Sequence, residues 1–215
     1  KEYSDLLGIV RTITIQSSAY AGLAVRNYNS DHEDNPHPPV KIYFNGELIH
    51  IDSMEDIARC MFPTSSYFST TIIPECEVGE VYHYKWEVTF VITGIEEESP
   101  YHWSNINGVV VRDGKHIKHL TNQLVKGTKE KVLKALKEKT INFSSKYIES
   151  NLFILVNAQV PNPAWNAQRK DVLDTDIKKF AGYIIDKKLL DQISSKLRDQ
   201  ILESIFSDKK RKKKV

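Results

Sequence analysis

The residues of this chain best suited to bind a phosphate lie in one short loop, Gln168-Arg169-Lys170. A lysine ammonium on a long side chain binds phosphate as a point charge, and a nearby glutamine amide can donate a hydrogen bond. Arg169, which lies between Gln168 and Lys170, would point elsewhere. The pattern predicts a phosphate contact by Lys170 with Gln168 in support. An exposed polar loop that leads into a helix is the alternative interpretation.

The residues before this loop predict a stiff turn that follows a buried strand. The run NLFILVNAQV, residues 151–160, is apolar throughout, as is typical of a strand in the centre of a sheet. Ligands of open α/β sheets collect where such strands end. Pro161 and Pro163 restrict the backbone that follows, and Trp165 provides an apolar anchor that can hold the turn to the domain.

The front part of the chain, about residues 1–105, is predicted to be rich in β-structure. Residues 40–51 alternate in polarity around Asn45-Gly46, a strong signal for a β-hairpin. Ser53 is a typical N-cap for a short helix over the residues that follow it. The remaining segments are predicted as a loop at 63–80, a strand at 81–93, and a loop at 96–111 that runs into one strand ending at Val111.

The rear part, about residues 106–206, changes to a helical period. Apolar spacing predicts a helix over 112–139 that is softened near Gly127, and two further helices over 171–188 and 189–206. The last helix carries an apolar stripe at intervals of four: Leu189, Ile193, Leu197, Ile201 and Ile205. It is long enough to project from the domain as well as to pack on it. Strands first and a strand–helix unit later indicate an α+β fold, in which a mixed sheet has helices on one face.

The composition is that of an ordinary globular domain, with 40% hydrophobic and 27% charged residues in 215. We expect one domain over residues 1–206 and a basic tail or linker over 207–215. The formal net charge of +2 restricts any nucleic-acid binding to local clusters. Cys60 and Cys76 are the only cysteines; we expect both to be structural, in a reducing intracellular compartment.

Other features of the sequence narrow the kind of protein further. No apolar run approaches the roughly 20 residues that a membrane span needs, so no membrane partner is expected. The first residue is not Met and no signal peptide is recognisable, which suggests a piece of a longer protein. His116 and His119 are expected to pack against or cap a helix rather than bind a metal, and no metal site is predicted.

Four segments, taken in order, resemble the transducer domain of eukaryotic-type members of the type IIA DNA topoisomerases. They are KIYFNGELI, YKWEVTFVIT, NGVVVRDGKHIKHLTNQLV and LFILVNAQVPNPAWNAQRKDVL. Members of the family have a Gly-rich turn and a His before a helix that carries Asp-Gln, where this chain has Asn122 in place of Asp. They also have Asn-Pro, an aromatic residue and then Gln-Thr-Lys, the QTK loop. Here that frame is Asn162-Pro163, Trp165 and Gln168-Arg169-Lys170.

The resemblance, which runs from about Lys41 to Phe206, implies a fold and a function. The fold would be a two-layer α/β sandwich like domain 2 of ribosomal protein S5, with a long C-terminal helix. An upstream ATPase domain of the GHKL class would bind most of the ATP and Mg²⁺. Lys170 would be the catalytic residue that contacts the ATP γ-phosphate, and Gln168 would help to place that phosphate. The domain would couple ATP turnover to DNA gate movement and double-strand passage, and the isolated fragment is expected to be inactive.

The resemblance also implies partners. They are duplex DNA, the upstream ATPase domain, the downstream cleavage core of the same chain, and a second copy in a homodimer. The lysine-rich segment 126–139 is the candidate DNA contact through Lys134, Lys137 and Lys139, with a solvated helix face as the alternative. The basic run 209–214 resembles a nuclear-localisation or nucleic-acid patch, although a solvated tail explains it as well.

Departures from the family pattern at Asn122, Asn166 and Arg169 suggest a divergent source, such as a large DNA virus. The location would then be the host cytoplasm, or the nucleus for a cellular protein. Two alternative functions remain at this stage. The chain could be the middle domain of another GHKL ATPase, or a non-catalytic nucleic-acid-binding module with an S5-like fold.

Overall fold

A computed structural model describes residues 21, 22, 25, 29, 34–38, 40–49, 51, 53–73, 85–93, 102–136, 145–180 and 182–212. The strands are β1 (Ile42–Phe44), β2 (Glu47–Ile49), β3 (Ser66–Ile72), β4 (Trp86–Ile92), β5 (His102–Ile106), β6 (Val109–Val111), β7 (Asp113–Gly114), β8 (Leu152–Ala158) and β9 (Val172–Leu173). The helices are α1 (Met54–Met61), α2 (Lys115–Leu136), α3 (Ser145–Ser150) and α4 (Lys187–Lys212), and a 3₁₀ turn spans Ile177–Phe180. Within these residues, no helix has the length and apolar character to cross a membrane.

A five-stranded sheet in the order β3-β4-β8-β5-β6 forms the centre of the fold. β5 and β8 run parallel, from the pair His102–Ile154 to the pair Ile106–Ala158, and the other neighbouring strands are antiparallel. All 7 residues of β8 are buried, because the sheet is covered on both faces at its centre. The predicted mixed sheet and its buried central strand are confirmed.

The helices cover the two faces of the sheet unequally. α2 and α4 pack together on one face, where Leu120, Leu124 and Leu197 join Phe90 and Ile154 in the main core. The short helix α1 lies on the opposite face. The smaller core there contains Ile57, Val91, Trp103, Phe153 and Leu155. The α+β class and the long C-terminal helix are confirmed, and α1 adds a helix on the face that was predicted to have none.

Two local sequence signals near the start of the described chain form the predicted structures. Asn45 and Gly46 connect β1 to β2 with φ angles of 50° and 85°. A two-residue hairpin turn of this type needs a positive φ at both positions, which asparagine and glycine tolerate best. Ser53 Oγ accepts a hydrogen bond from the backbone N of Asp56 at 3.1 Å and so caps α1.

The segment 63–80, which was predicted as a loop, contains a strand, so that prediction was wrong, whereas the strand predicted to end at Val111 is present as β6. Within 63–80, β3 pairs with β4 along its whole length. β3 is an edge strand with exposed positions, where serine and threonine are tolerated on the solvent side. Within 96–111, a second Asn-Gly turn divides the predicted single strand into β5 and β6. Asn107 and Gly108 have φ angles of 50° and 81° in that turn.

The predicted softening of the helix near Gly127 is also wrong, because α2 is continuous from Lys115 to Leu136. A Cβ atom at position 127 would lie 2.8 Å from Ser194 Oγ on α4. The glycine therefore allows the two helices to approach closely, and packing of α2 on α4 outweighs its low helix propensity.

The helix predicted over 171–188 is wrong as well. β9 pairs in parallel with β7, and only Ile177–Phe180 forms a 3₁₀ turn. Asp186 Oδ1 accepts hydrogen bonds from the backbone N of Lys188 at 2.9 Å and of Leu189 at 3.1 Å, which fixes the start of α4 there. From this cap, α4 runs to Lys212 and includes the first part of the basic segment.

Candidate functional site

The candidate site is a loop over residues 159–171 that follows the central strand β8. Its two sides approach each other like the arms of a hairpin. Trp165 and Leu173 form an antiparallel bridge, and the backbone N of Asn166 donates to the carbonyl oxygen of Val172 at 3.2 Å. Trp165 is half-buried and packs against the main core, as the predicted anchor does. The tip of the loop is therefore held to the domain close to its base.

The tip of this loop is a tight turn. The backbone N of Lys170 donates to the carbonyl oxygen of Ala167 at 3.0 Å, and Lys170 itself has a φ of 54°. Gln168 and Arg169 occupy the two central positions of the turn. Side chains do not alternate in a turn as they do in a strand, so the expectation that Arg169 points away from Gln168 and Lys170 stays a prediction.

Gln168, Arg169 and Lys170 are all exposed. Among the described residues, none of their side chains takes part in an ion pair, and none is buried against the body of the domain. Lys170 is thus an exposed cation on a backbone whose left-handed conformation is uncommon for a residue with a side chain. Non-glycine residues in this region recur at ligand-binding sites, where the surrounding structure holds them in place.

The stem of the loop is fastened to the start of α2. Lys115 Nζ lies 2.7 Å from Asp174 Oδ1 and donates to the carbonyl oxygen of the same residue at 3.0 Å. The backbone N of Arg112 donates to the carbonyl oxygen of Asp171 at 2.8 Å, next to the β7–β9 pair. The backbone N of Ala164 donates to Thr175 Oγ1 at 2.9 Å. Contacts on both arms therefore restrict the position of the tip.

His116, near the base of the site, is a packing residue, as the sequence predicted. It is fully buried, its Nε2 lies 3.1 Å from Ser104 Oγ, and its ring stands edge-on to Trp86. Burial, with a smaller contribution from the nearby His102 ring, lowers the pKa of His116 to about 3. His116 is therefore neutral at physiological pH and has no access to a ligand.

Gln123 joins α2 to the segment that precedes α4. Its Nε2 donates to the carbonyl oxygen of Tyr183 at 3.1 Å, and its Oε1 accepts from the backbone N of Ile185 at 2.9 Å. His119 Nε2 donates to the same Tyr183 oxygen at 2.9 Å, so this histidine also packs as predicted. The role of Gln123 was missed from the sequence. The available signal was the Asp-Gln pair of the resemblance, in which this chain keeps the glutamine.

α4 crosses the sheet from the loop end to the opposite end. Near its start, the Tyr183 ring stacks on Trp86 with centroids 3.9 Å apart. Trp86 pairs with Ala158, the last residue of β8 before the loop. Further along, Gln200 Nε2 donates to the carbonyl oxygen of Thr93, which follows the far end of β4, at 3.2 Å. From Gln200 the helix continues to Lys212, a length of about 18 Å at 1.5 Å per residue.

The predicted DNA-contacting lysines are only partly within the described residues. Lys134 is exposed near the end of α2, whereas Lys137 and Lys139 lie outside the described residues. Lys131, in the same run, is half-buried with its Nζ 2.5 Å from Asp191 Oδ1 on α4. This lysine holds α2 to α4, so the basic run is not a uniform surface.

The donor set of the described chain fits a phosphate better than a metal. Exposed ammonium, guanidinium and amide groups at 168–170 can all donate to phosphate oxygens. In the part of the chain that the structure describes, no group of three histidine, cysteine or acidic side chains could hold a metal ion. Cys60 is half-buried, and Cys76 lies outside the described residues.

Comparisons with known proteins agree on one family. Its profile, described as DNA gyrase B, matches residues 39–215. DNA topoisomerase 2 of Saccharomyces cerevisiae is 28% identical over 182 residues, which cover 83% of this chain and 11% of that protein. DNA topoisomerase 2 of Acanthamoeba polyphaga mimivirus is 24% identical over 165 residues, which cover 75% of this chain and 12% of that protein. The chain therefore spans only a small part of the length of these relatives.

Solved structures support the same fold. The ATPase region of Saccharomyces cerevisiae topoisomerase II superposes with a TM-score of 0.56 at 23% identity, over 77% of this chain and 39% of that one. The ATPase and transducer domains of DNA topoisomerase II from Balamuthia mandrillaris give a TM-score of 0.57 at 15% identity, over 80% and 41%. At these identities the likeness concerns the fold alone. The chain belongs to the DNA gyrase B family, because the family profile matches most of the length of this chain.

Proposed function

We propose that this chain is the transducer domain of an ATP-dependent type II DNA topoisomerase. It would couple ATP binding and hydrolysis in an upstream GHKL domain to DNA gate movement and double-strand passage. The observation that carries the proposal is Lys170, an exposed cation on a fastened turn, in the frame of the QTK loop. Membership of the DNA gyrase B family supports the proposal, as does the fold shared with a structure that contains ATPase and transducer domains.

In this proposal Lys170 reaches out of its own domain to the γ-phosphate of ATP. ATP and Mg²⁺ are bound mainly by the upstream domain, and Mg²⁺ there supplies charge neutralisation for phosphoryl transfer. Lys170 stabilises the negative charge that develops on the phosphoryl oxygens. Gln168 donates a hydrogen bond that helps to place the same group. Lys170 loses this partner after hydrolysis, so its contact reports whether the γ-phosphate is present.

The contacts between the loop end of the sheet and the segment before α4 support a coupling role. Trp86 lies at the loop end of β4 and stacks on Tyr183, while Gln123 holds the backbone of Tyr183 and Ile185 next to the start of α4. In this proposal, a displacement of the loop reaches the base of α4 through the Ala158–Trp86 pair, the Trp86–Tyr183 stack and the hydrogen bonds of Gln123. α4 would carry the displacement to the downstream cleavage core.

DNA is the proposed partner of the lysine-rich segment 126–139. Lys134, Lys137 and Lys139 would contact the phosphate backbone without reading its sequence. Lys134 is exposed and has no ion pair with any of the described residues, which supports this role. The parent would act as a homodimer, and the isolated fragment would be inactive because the ATP site lies mainly upstream.

The source of the chain and its cellular location stay predictions. A large DNA virus such as African swine fever virus was one expectation, with the host cytoplasm as the location. The mimivirus relative is 24% identical and the yeast relative 28%, so identity does not favour a viral source over a cellular, nuclear one.

Replacing Lys170 in the full-length protein tests the proposal. We expect Lys170→Ala to lower ATP turnover by about 10²-fold, as the loss of one charge-stabilising donor typically does, and to abolish strand passage. Arg169→Ala removes a neighbouring exposed cation and is the matched control, with little expected loss. ATP turnover that is equal in the two variants would contradict the proposal. Loss of DNA binding with normal ATP turnover would instead favour a nucleic-acid-binding module.

The DNA contact has its own test. Joint replacement of Lys134, Lys137 and Lys139 by glutamine should lower the DNA stimulation of ATPase activity at low salt, with the rate in the absence of DNA unchanged. The control replaces three exposed lysines elsewhere, Lys178, Lys179 and Lys188, with the same change in net charge. Equal stimulation in both variants would leave the segment as a solvated helix face.

A further inference from the structure

Asn107 is bound to the base of the candidate loop by its side chain. Its Nδ2 donates to the carbonyl oxygen of Val160 at 2.8 Å, and its Oδ1 accepts from the backbone N of Val160 at 2.7 Å. The backbone N of Asn107 also donates to the carbonyl oxygen of Ala158 at 3.0 Å. One residue of the β5–β6 turn thus makes three hydrogen bonds to the chain that leaves β8.

We propose that Asn107 is a positioning residue that fixes the loop so that Lys170 can reach the phosphate. This inference rests on the proposed function of Lys170. Asn107 acts only through the backbone at Val160 and does not itself touch the nucleotide.

The position of Val160 explains why this contact sets the loop. The parallel pairing of β5 and β8 ends at the pair Ile106–Ala158. The Asn107 side chain satisfies both backbone groups of Val160 beyond that pair, as a further strand residue would do. Val160 is buried, and the exposed part of the loop starts at Pro161. Asn107 therefore determines where the loop leaves the sheet and in which direction it starts.

The β1–β2 hairpin shows that an Asn-Gly turn of this type forms without a side-chain hydrogen bond from its asparagine to any described residue. Asn45-Gly46 has φ angles of 50° and 85°, and Asn107-Gly108 has φ angles of 50° and 81°. In the described residues, the Asn45 side chain makes no hydrogen bond, whereas that of Asn107 makes two to Val160. Asn45 is therefore a matched control for the cost of changing an asparagine in this type of turn.

The test compares Asn107→Gly with Asn45→Gly in the full-length protein. Glycine keeps the positive φ and removes the side chain. We expect Asn107→Gly to lower kcat for ATP hydrolysis by about tenfold, because a small displacement of a catalytic group is costly. Asn107→Gly should also lower the thermal unfolding midpoint more than Asn45→Gly does, because it leaves both backbone groups of the buried Val160 without this partner. Asn107→Asp keeps the acceptor for the backbone N of Val160 and should restore part of the rate. A kcat for Asn107→Gly that equals that of Asn45→Gly overturns the proposal.

A double variant tests whether Asn107 acts through Lys170. Two residues that serve one contact are not additive, so Asn107→Gly should cause no further loss of kcat in a Lys170→Ala background. A further tenfold loss in that background overturns the positioning role.

Hydrogen exchange separates a failure of this inference from a failure of the proposed function. In full-length protein without nucleotide, Asn107→Gly should raise the exchange rate of a peptide covering 160–171, and Asn45→Gly should not. Unchanged exchange shows that the contact does not hold the loop and overturns the inference. If exchange rises in Asn107→Gly but Lys170→Ala has normal ATP turnover, the proposed function of the loop is wrong and the positioning role is wrong with it. The structural contact between Asn107 and Val160 would still stand.

Discussion

The central strand β8 and the loop that follows it are adjacent in sequence and opposite in character. Every residue of β8 is buried between two helix-covered faces, whereas most residues of the loop from Pro161 to Lys170 are exposed. The buried strand provides stability, and the exposed loop presents the groups that the proposed function needs. Stability and activity should therefore respond to different substitutions only a few residues apart.

The largest expected effect on stability comes from the strand. Ile154 is fully buried in the main core, so Ile154→Ala should lower the free energy of unfolding by about 2–5 kcal/mol. Lys170→Ala should change it by less than about 0.5 kcal/mol, because an exposed side chain makes few contacts. Denaturant unfolding followed by circular dichroism measures both values. A comparable loss in the two variants would remove the distinction between strand and loop.

The next effect is a pH dependence of the free energy of unfolding, which arises from buried histidines and not from the loop. Because burial lowers the pKa of His116 from 6.5 to about 3, the folded state favours the neutral ring. This contribution to stability is complete above pH 6.5 and is lost as the pH falls toward 3. Linkage gives a loss of about 2 kcal/mol between pH 7 and pH 5. The pKa of His102 is also lowered by burial and acts in the same direction, while the nearby Asp113 carboxylate opposes that shift.

The variant that tests this pH dependence is His116→Gln, in which the side chain cannot be protonated. The unfolding free energy of this variant should fall less between pH 7 and pH 5 than that of the parent chain. An unchanged slope would assign the pH dependence to other groups, and Lys170→Ala should leave the slope as it is.

A smaller effect on stability is expected at Gln123, which joins α2 to the segment that precedes α4. Gln123→Ala removes hydrogen bonds to the backbone of Tyr183 and Ile185 in a half-buried position, which should cost about 1 kcal/mol. Asn122→Ala, at the exposed neighbouring position, is the control and should have no measurable effect. The comparison also tests coupling: Gln123→Ala should reduce strand passage more than ATP turnover if it links the loop to α4.

The smallest effect on stability is expected at a partly exposed contact between the two long helices, α2 and α4. The Lys131–Asp191 ion pair is partly exposed, and Lys131 lowers the pKa of the Asp191 carboxyl through their hydrogen bond. Lys131→Met should lower the unfolding midpoint by less than Gln123→Ala does, and the difference from the parent should vanish at high salt. A difference that persists at high salt would indicate a packing role for the lysine side chain.

The parts of the fold that could be predicted are those with a strong local pattern. The apolar run of β8, the Ser53 cap and the Asn45-Gly46 turn each determine their own structure. The wrong predictions concern segments whose structure depends on contacts with residues that are distant in the sequence. β3 pairs with β4, β9 pairs with β7, and Gly127 lies close to Ser194 on α4. None of these contacts has a local signature in the sequence.

The candidate site was predicted from a resemblance rather than from physical signals. Gln168 and Lys170 alone are ordinary loop residues, and only the frame of surrounding motifs assigned them a role. The contacts of Asn107 with Val160 and of Lys115 with Asp174 were not predicted, because each joins residues more than 50 positions apart. A single sequence does not show which distant side chain will satisfy a loop's backbone.

The three tryptophans of this chain lie in three different surroundings. Trp86 and Trp103 are buried on opposite faces of the sheet, whereas Trp165 is half-buried in the loop that carries Lys170. In the proposed function, the fluorescence of Trp165 would therefore report contact of the loop with a nucleotide. With phenylalanine at positions 86 and 103, the remaining emission would follow the loop alone, and a stopped-flow instrument could time its movement without any attached dye.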